Sequence, residues 1–314
     1  MISAKILLGC GLCALVSLGA ETRITGPTSG FIFQRSSQTI RPIVGVPGSA
    51  HLGASTVEGF ENASVSPLGI SALATRQGAL YLLRGFQTGQ PETILIDNAI
   101  QAISRFAWSP DGESAAVYSA DSRQAQIIRN LPSPVLEDPI DLAGVEGAVS
   151  ALVFDGKRLL IGGASVYVAD PSGLRRLIAE IEPGVMTLGG GDVYIADQKR
   201  NQIWLLHDYA GAATPMLFAD ERSGISTPTG IRISANGRHL LVANAGSRSV
   251  DALDIATRGA IKHIELEFAP GRMEAIGTGR LSLLNFGGEG EPLYVLDSGD
   301  DLAVYFVPDA REEE

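Results

Sequence analysis

A glycine turn followed by a run of β-forming residues recurs about every forty residues, and this restricts the folds open to the chain. Six copies are clear, and their glycines are Gly78, Gly112, Gly156, Gly191, Gly237 and Gly279. Successive glycines lie 34, 44, 35, 46 and 42 residues apart, and a weaker seventh copy begins at Gly30. Repeats of about 20 to 50 residues are typical of solenoids, propellers and arrays, in which one unit is too thin to bury its own apolar face.

Each repeat contains about four short predicted strands. Around Gly237 they cover residues 231–234, 239–244, 250–255 and 261–266. These runs are rich in Val, Ile, Leu and Tyr and are bounded by Gly, Asp, Asn, Ser and Pro, as strands usually are. No long stretch beyond residue 20 has a 3.6-residue apolar period, so we expect little helix.

These units predict an all-β fold that consists of a single β-propeller. A four-stranded sheet cannot cover both of its faces alone, whereas sheets packed radially cover one another. Residues 64–308 hold six full units, and the strand pair at 31–34 and 39–44 is expected to complete a seventh blade. Six blades with an added hairpin is the alternative. Residues 45–64, which are rich in Gly, Ser and Ala, are expected to form a long loop.

Short motifs within the repeats resemble those of bacterial propeller families. Residues 228–231 (PTGI) and 234–244 (SANGRHLLVAN) resemble the repeat of YVTN- and NHL-like propellers. Residues 106–112 (FAWSPDG) resemble the WSPDG strand and turn of WD40-like and TolB-like propellers, and residues 193–197 (VYIAD) resemble the YVAD strand of NHL repeats. The resemblance implies a propeller fold. It also implies, as one functional alternative, an enzyme similar to the propeller lactonases or the NHL-type lyases.

The first twenty residues have the pattern of a secretory signal peptide. Lys5 precedes an apolar run over 6–18, and small residues follow it. We therefore expect an exported protein, periplasmic or extracellular, with a signal peptide at 1–20. The propeller domain is then expected to span 27–310, and the acidic tail at 311–314 is expected to be disordered.

Both cysteines, Cys10 and Cys13, lie within the predicted signal peptide. The mature chain is therefore expected to have no disulfide, no thiolate metal site and no cysteine nucleophile. A lipid anchor at Cys10 and an uncleaved membrane anchor are alternatives to a cleaved signal. Nothing later in the chain approaches the length of a transmembrane span, so none is expected in the mature protein.

The charge balance is acidic, with 24 Lys and Arg against 35 Asp and Glu and a formal net charge of −11. Nucleic acids and anionic membrane surfaces require clustered Lys and Arg, so we expect no nucleic-acid partner. The partner is expected to be a protein, a glycan or a small molecule.

No motif of a common nucleophile or metal site is present in the sequence. It lacks GxSxG, SxxK and HExxH, and its four histidines have no metal-ligand neighbour at a usual spacing. The one weak metal candidate is the acidic group Asp297, Asp300 and Asp301, whose carboxylates resemble a calcium loop. The same residue types suit a hairpin turn. We therefore expect no cofactor, with calcium as the alternative.

The inner strand of each blade lines the central channel, where propeller hydrolases and lactonases place carboxylates and imidazoles around a metal. The residues predicted for the lip of this channel are Ser104, Arg105, Ser150, Met186, Thr229, Arg272, Met273 and Glu274. A single carboxylate among them disfavours metal-assisted hydrolysis. We therefore predict no catalytic residue and interpret the chain as an exported, non-catalytic binding or scaffold module that acts through its blade loops. The alternative is a channel-mouth enzyme of the lactonase or lyase type, with or without calcium.

Overall fold

The computed structural model describes residues 26–171, 173–211, 213–277, 279–285, 292–299 and 301–309. Twenty-nine strands in these residues form seven antiparallel sheets, arranged as the blades of one β-propeller. The predicted all-β, seven-bladed fold is confirmed, and the six-bladed alternative is wrong. The predicted signal peptide, Cys10 and the tail at 311–314 lie outside the described residues. No helix in the described part of the chain is long and apolar enough to cross a membrane.

The strands are numbered in chain order, and the first strand of every blade lies next to the channel. Blade 1 contains β1 (Thr28–Gln34), β2 (Thr39–Val44), β3 (His51–Leu52) and β4 (Val57–Glu58). Blade 2 contains β5 (Asn62–Val65), β6 (Ser71–Arg76), β7 (Ala79–Arg84) and β8 (Glu92–Leu95). Blade 3 contains β9 (Ile103–Trp108), β10 (Ala115–Ser119), β11 (Gln124–Arg129), β12 (Val135–Leu136) and β13 (Ile140–Asp141).

The remaining four blades each have four strands. Blade 4 contains β14 (Ala151–Phe154), β15 (Leu159–Gly162), β16 (Val166–Asp170) and β17 (Gly173–Ile178). Blade 5 contains β18 (Pro183–Gly189), β19 (Asp192–Asp197), β20 (Gln202–His207) and β21 (Thr214–Ala219). Blade 6 contains β22 (Pro228–Ile233), β23 (His239–Asn244), β24 (Ser249–Asp254) and β25 (Ala260–Glu265). Blade 7 contains β26 (Glu274–Ile276), β27 (Leu281–Leu283), β28 (Leu293–Asp297) and β29 (Ala303–Val307). Two short 3₁₀ helices, Phe86–Thr88 and Glu221–Ser223, lie between strands.

In blades 2 to 7 the chain begins the inner strand and ends the outer strand at the same face of the ring. This follows because each of these blades has four antiparallel strand positions, an even number of passes. We call this side the start face, and it is marked by the first residues of the inner strands, Asn62, Ile103, Ala151, Pro183, Pro228 and Glu274. The opposite side, where these inner strands end and turn back, is called the turn face.

Blade 1 has three strand positions, because β3 and β4 both pair with β2 and form one interrupted outer strand. With an odd number of passes, β1 runs from the turn face to the start face, opposite to the other inner strands. The contacts at its two ends agree with this direction. The Arg35 guanidinium, just beyond β1, lies 3.5 Å from the side-chain oxygen of Asn62 at the start of β5. The Gly30 backbone instead lies against Ile276 at the end of β26.

The ring closes where the end of blade 7 meets the outer strand of blade 1. The Leu52 N–H donates a hydrogen bond to the Pro308 carbonyl at 2.8 Å, and Leu52 forms a parallel bridge with Asp309. Both terminal nitrogens of Arg41, on β2, donate to the Asp309 carboxylate. C-terminal residues therefore extend a sheet made of N-terminal strands, which covers an edge at the seam.

The expected long loop at 45–64 is wrong, because this segment contains β3, β4 and most of β5. Leu52, Val57 and Phe60 are buried. Leu52 packs against blade 7, and the other two pack against blade 2. The glycines and serines between these apolar residues interrupt the strand without preventing it.

The hydrophobic core of the described residues consists of seven clusters, one at each interface between consecutive blades. Between blades 5 and 6, Tyr194 and Phe218 pack edge to face with 5.2 Å between ring centroids. Strands such as β23 are almost entirely buried, because neighbouring blades cover both faces of the sheet. Each blade therefore depends on its two neighbours to exclude water.

Most repeat glycines lie in the turn between the inner and second strands of a blade. Gly112, Gly156 and Gly237 have φ values of 71°, 94° and 71° there, a region that strains residues with a Cβ. Gly78 differs from the prediction, since it lies between the second and third strands of blade 2. Gly69, with φ of 68°, holds the inner turn of that blade.

The turns after β9 and β22 share one side-chain cap. Ser109 Oγ donates to Asp111 Oδ1 at 2.6 Å, and Asp111 Oδ1 also accepts a hydrogen bond from the Glu113 N–H at 3.0 Å. In blade 6 the Ser234 hydroxyl donates to Asn236 Oδ1 at 2.8 Å. The WSPDG-like motif is therefore a turn whose Asp position also accepts Asn, in line with the preference of both residues for such turns.

Candidate ligand site at the channel mouth

The eight residues predicted for the channel lip lie on or directly before five inner strands. Ser104 and Arg105 lie on β9, Ser150 precedes β14, Met186 lies on β18, Thr229 lies on β22, Arg272 and Met273 precede β26, and Glu274 begins β26. All except Met186 belong to the start-face ends of these strands. We call the start-face opening of the ring, at these strand ends, the channel mouth.

Two of the lip hydroxyls join one blade to the next. Ser150 Oγ, in blade 4, donates to the Pro183 carbonyl of blade 5 at 2.5 Å. Thr229 Oγ1, in blade 6, donates at 2.7 Å to the Pro270 carbonyl, which precedes blade 7. Ser104 Oγ donates within its own blade to the Tyr118 carbonyl at 3.2 Å. The structure therefore gives these hydroxyls a role in holding the mouth together.

The two methionines of the predicted lip pack between blades. Met186 is buried in the cluster between blades 4 and 5. Met273 packs against the cluster between blades 6 and 7. Its backbone lies so close to Gly230 that a Cβ on Gly230 would be 2.5 Å from the Met273 nitrogen. Both side chains fill interfaces.

Three arginines lie at the start-face ends of the inner strands of blades 1, 3 and 7. We call Arg35, Arg105 and Arg272 the arginine cluster. Burial lowers the pKa of Arg105, an electrostatic interaction with Tyr118 opposes this, and the charge of Arg35 lowers it further. Burial also lowers the pKa of Arg272, Glu274 opposes this, and the charge of Arg35 again lowers it. The charge of Arg35 thus acts on the pKa of both of the other arginines.

Hydrogen bonds to the next blade or to a neighbouring loop hold the Arg105 and Arg272 side chains. Arg105 Nε donates to the Val149 carbonyl, just before blade 4, at 3.0 Å. Arg272 Nε donates to the Asn285 carbonyl at 3.2 Å, and its Nη1 donates to Glu274 at 2.5 Å. In the part of the chain that the structure describes, no residue accepts a hydrogen bond from the two terminal nitrogens of Arg105.

Two carboxylates that precede inner strands point away from the arginine cluster. Glu61, before β5, accepts a hydrogen bond from the Gln77 N–H at 2.9 Å, in the turn between the second and third strands of blade 2. Glu182, before β18, forms an ion pair with Lys199 in the corresponding turn of blade 5. Glu274 is the lip carboxylate that contacts the cluster. Among the eight residues predicted for the lip, two are arginines and one, Glu274, is a carboxylate.

The sequence prediction of the lip missed Arg35. This residue follows the first strand of blade 1, and in every other blade that position lies at the turn face. It reaches the mouth because β1 runs in the opposite direction. The signal that could have located it is the number of strands between residues 28 and 58, since an odd number reverses the first one.

One polar network in blade 6 contains Ser, His and Asp, and its geometry differs from that of a catalytic triad. Ser249 Oγ donates to Asp251 Oδ2 at 2.8 Å, Asn244 Nδ2 donates to the same oxygen at 2.7 Å, and His263 Nδ1 lies 2.6 Å from Asp251 Oδ1. A triad requires the histidine to contact the serine. Here both contact the carboxylate, so the network ties three strands of one blade together.

The weak calcium candidate has one carboxylate engaged in an ion pair. Asp297 is almost fully buried and accepts from Arg280 Nε at 2.5 Å and from Arg280 Nη2 at 2.8 Å. It also accepts from the Gly299 N–H at 2.9 Å, as in a turn. Asp301 is exposed, and Asp300 lies outside the described residues. Calcium at this loop stays a prediction.

A cavity of about 730 Å³ lies at the turn face between blades 7, 1 and 2. Phe31, Leu68 and Ile276 contribute apolar surface to it. Its polar wall includes Gln87, whose amide donates to the Gly69 carbonyl at 2.5 Å, and Arg280, which is paired with Asp297 as described above. Both of these side chains therefore make protein contacts.

No protein-family model matches this chain, and no curated protein sequence matches it. Solved structures match its fold. A functionally unknown protein from Desulfotomaculum acetoxidans DSM 771 has a TM-score of 0.61 and 12% identity, over 90% of this chain and 100% of that one. A streptogramin B lyase structure has a TM-score of 0.57 and 10% identity, over 78% of this chain and 80% of that one.

A third similar structure is the β-propeller domain of Myceliophteria thermophila Cps50 (Swd1), with a TM-score of 0.53 and 15% identity, over 82% of this chain and 93% of that one. These matches confirm that the chain is a β-propeller repeat protein. At such low identity they establish the fold alone.

Proposed function

We propose that the protein is an exported, non-catalytic binding module that holds its ligand at the channel mouth. The observation that carries this proposal is that the inner strands of several blades bring polar side chains, those of Ser104, Arg105, Thr229 and Arg272, to the same face of the ring. In folds of this kind the buried strands form the scaffold, and the ends of the strands and the loops carry the function.

The chemistry of the mouth supports binding better than catalysis. Its hydroxyls at Ser150 and Thr229 donate to carbonyl groups of the next blade, which leaves them without an activating base. Arginine stays protonated in proteins and therefore makes a poor general base. No three His, Cys, Asp or Glu side chains come together among the described residues. The likeness to a streptogramin B lyase, at 10% identity, is a likeness of fold alone.

Export is part of the proposal and rests on the signal-like sequence at 1–20. Expression of the full chain in a bacterium, followed by cell fractionation and N-terminal sequencing, tests it. We expect a shortened chain outside the cytoplasm. A full-length chain that stays in the cytoplasm would contradict export. A lipid on Cys10 would show that the chain is held by a lipid anchor and is not released by cleavage after the signal.

The binding proposal is tested by native mass spectrometry of the purified protein after incubation with a small-molecule extract of bacterial cells. We expect a one-to-one complex whose ligand is released with unchanged mass. Ser104→Trp, which fills the mouth, should abolish the complex. Ala235→Trp, an exposed position at the turn face, should retain it. Conversion of the ligand to a product, or a complex unaffected by Ser104→Trp, would contradict the proposal.

A further inference from the structure

We propose that the cavity at the turn face is a further ligand site, which takes a small, neutral molecule with an apolar body and a hydrogen-bond donor. The site goes beyond the proposed function, because the cavity lies on the face of the ring opposite the channel mouth. Its support comes from the gap that the reversed strand β1 leaves, from the chemistry of the walls and from the exposed apolar side chains at the rim.

The direction of β1 opens the cavity. In the two neighbouring blades the turn after the inner strand lies at the turn face, at residues 66–70 in blade 2 and between Gly277 and Arg280 in blade 7. Blade 1 has no such turn there, because the residues that connect β1 to β2, 35–38, lie at the start face. The gap has a volume of about 730 Å³, within the range of about 300 to 1,000 Å³ that is usual for small-molecule sites.

Buried side chains fix the apolar walls of the cavity. Phe31 packs edge to face against the buried Phe86, with 4.8 Å between ring centroids. Gly69 lies beside this ring, since a Cβ on Gly69 would be 3.7 Å from Phe31 Cδ2. On the other side the buried Ile276 lies against the Gly30 backbone. The walls are therefore formed before any ligand binds, as is usual for such sites.

Exposed apolar side chains gather at the rim of the cavity. Val46 and Leu68, which are 54% and 47% exposed, line it, and the exposed Ile70 belongs to the same turn as Leu68. The other large apolar residues that are exposed in the described chain, such as Leu95 and Ile261, lie on outer strands. Three apolar side chains around a concave site are too few for the roughly 800 Å² that each partner buries in a stable protein interface, so the site fits a small molecule.

The charges of the lining favour a neutral ligand. No Asp or Glu is among the described residues that line the cavity. Arg280 lines it, but its Nε and Nη2 donate to Asp297, which is almost fully buried. An anionic ligand would compete for Arg280 and leave a buried carboxylate uncompensated, which is costly.

Gln87 gives the cavity an oriented hydrogen-bond acceptor. Its Nε2 donates to the Gly69 carbonyl at 2.5 Å, and no described residue donates to its Oε1. An amide oxygen held in this way can accept an N–H or O–H group of a ligand. The ligand class is therefore an apolar body that carries a neutral donor, such as an arylamine or a phenol.

The test uses a pair of fluorescent probes that differ in charge. N-phenyl-1-naphthylamine is neutral, carries one N–H and brightens in apolar surroundings, and 8-anilino-1-naphthalenesulfonate adds a sulfonate to the same ring systems. We expect saturable, one-to-one binding of the neutral probe to the purified protein. The sulfonate should bind at least about threefold more weakly, because Arg280 is already paired.

A matched pair of leucine variants locates the binding. Leu68→Asp should weaken the neutral probe at least about tenfold, because it puts a charge on the apolar rim. Leu95→Asp is the control, since Leu95 is 48% exposed on the outer strand of the same blade, and it should change the affinity by less than about twofold. Melting curves check that both variants are folded.

A third variant tests the hydrogen bond. Gln87→Leu should weaken N-phenyl-1-naphthylamine by about three- to tenfold, as expected for one lost hydrogen bond. The same variant should leave the binding of 1-phenylnaphthalene, which lacks the N–H, unchanged. An equal loss for both compounds would show that Gln87 only shapes the wall and would remove the donor from the ligand class.

The outcomes separate this site from the proposed function. The inference is wrong if the neutral probe does not saturate, if Leu68→Asp binds it as tightly as Leu95→Asp, or if the sulfonate binds more tightly. Sedimentation of the parent tests for a second copy, and a dimer that Leu68→Asp dissociates would also overturn the inference. Ser104→Trp acts at the opposite face and should leave the probe bound, so either proposal can fail without the other.

Discussion

Arg41 and Asp309 form an ion pair across the ring seam, with both terminal nitrogens of the arginine on one carboxylate. Arg41 is only 16% exposed at its side chain, whereas Asp309 is 56% exposed. Arg41 Nε also donates to the Gly53 carbonyl at 2.8 Å, so the arginine is oriented by its own blade as well as by the partner from the chain end.

This difference in side-chain exposure predicts that alanine substitutions of Arg41 and Asp309 have unequal effects on stability. Arg41→Ala should lower the free energy of unfolding by about 1 to 3 kcal/mol, because it leaves buried acceptors unpaired. Asp309→Ala should lower it by less than about 1 kcal/mol, as for an exposed ion pair. Urea denaturation measures both, with Arg84→Ala, which breaks an exposed pair inside blade 2, as the control. Equal losses for the two seam variants would show that the ion pair alone holds the closure.

The backbone contact between Gly30 and Gly277 predicts a second weak point at the same seam. A Cβ on Gly277 would lie 2.5 Å from the Ser29 carbonyl oxygen, and its φ is 59°. Gly277→Ala should therefore lower the free energy of unfolding by about 2 to 4 kcal/mol, from steric overlap added to left-handed strain. Gly237 has a similar positive φ but open space around it, so Gly237→Ala isolates the strain at about 1 to 2 kcal/mol. Thermal melts compare the two, and a Gly237→Ala loss as large as that of Gly277→Ala would rule out the overlap.

The shared cap of the inner turns predicts an acid-sensitive difference between blades 3 and 6. Hydrogen bonds from the Ser109 hydroxyl and then from the Glu113 N–H lower the pKa of Asp111 below its ordinary value of 3.8. A carboxyl group with a lowered pKa in the folded state contributes stability at pH values above its unfolded pKa. That contribution is lost as the pH falls through the lowered folded value.

Asp111→Asn should therefore be nearly neutral at pH 7, within about 1 kcal/mol, because Asn236 already makes the same cap in blade 6. Below about pH 4 it should lose less stability than the parent protein. The reciprocal change, Asn236→Asp, should add acid sensitivity. Urea midpoints measured from neutral to acidic pH test both, and parallel curves for all three proteins would refute the assignment.

The two hydroxyls that join blades at the mouth predict a separation of stability from binding. Ser150→Ala and Thr229→Val should each lower the free energy of unfolding by about 0.5 to 1.5 kcal/mol, since each removes one interblade hydrogen bond. Both should retain the one-to-one complex expected in native mass spectrometry. Denaturation and native mass spectrometry on the same samples check this. Loss of the complex in either variant would make that hydroxyl part of the ligand site.

Local sequence predicted the strands best where turn residues bound them. The predicted run 239–244 coincides with β23, because the preceding glycine turn and the strand's continuous apolar residues both mark it. The outer strand of blade 1 could not be predicted. Its two pieces, His51–Leu52 and Val57–Glu58, are too short to show any period, and the composition between them is that of a loop.

The candidate site was predictable only in part, because it depends on contacts between blades. The positions predicted for the inner strands within the repeats were sufficient to place Arg105 and Arg272 near one opening of the channel. The bond from Ser150 to Pro183 depends on how two blades pack, which no local pattern specifies. Arg35 depends on the direction of β1, and that direction follows from the number of strands in a blade whose outer strand was itself missed.

The reversed first strand has a consequence for how the ring could be displayed. β1 begins at the turn face, where the Pro27 carbonyl accepts a hydrogen bond from the Gly45 N–H, so Thr28 lies on the side of the ring opposite Arg35. A surface that held the ring by its turn face would leave the channel mouth directed outward. A fourth strand in blade 1 would have put the start of β1 and the mouth on the same side.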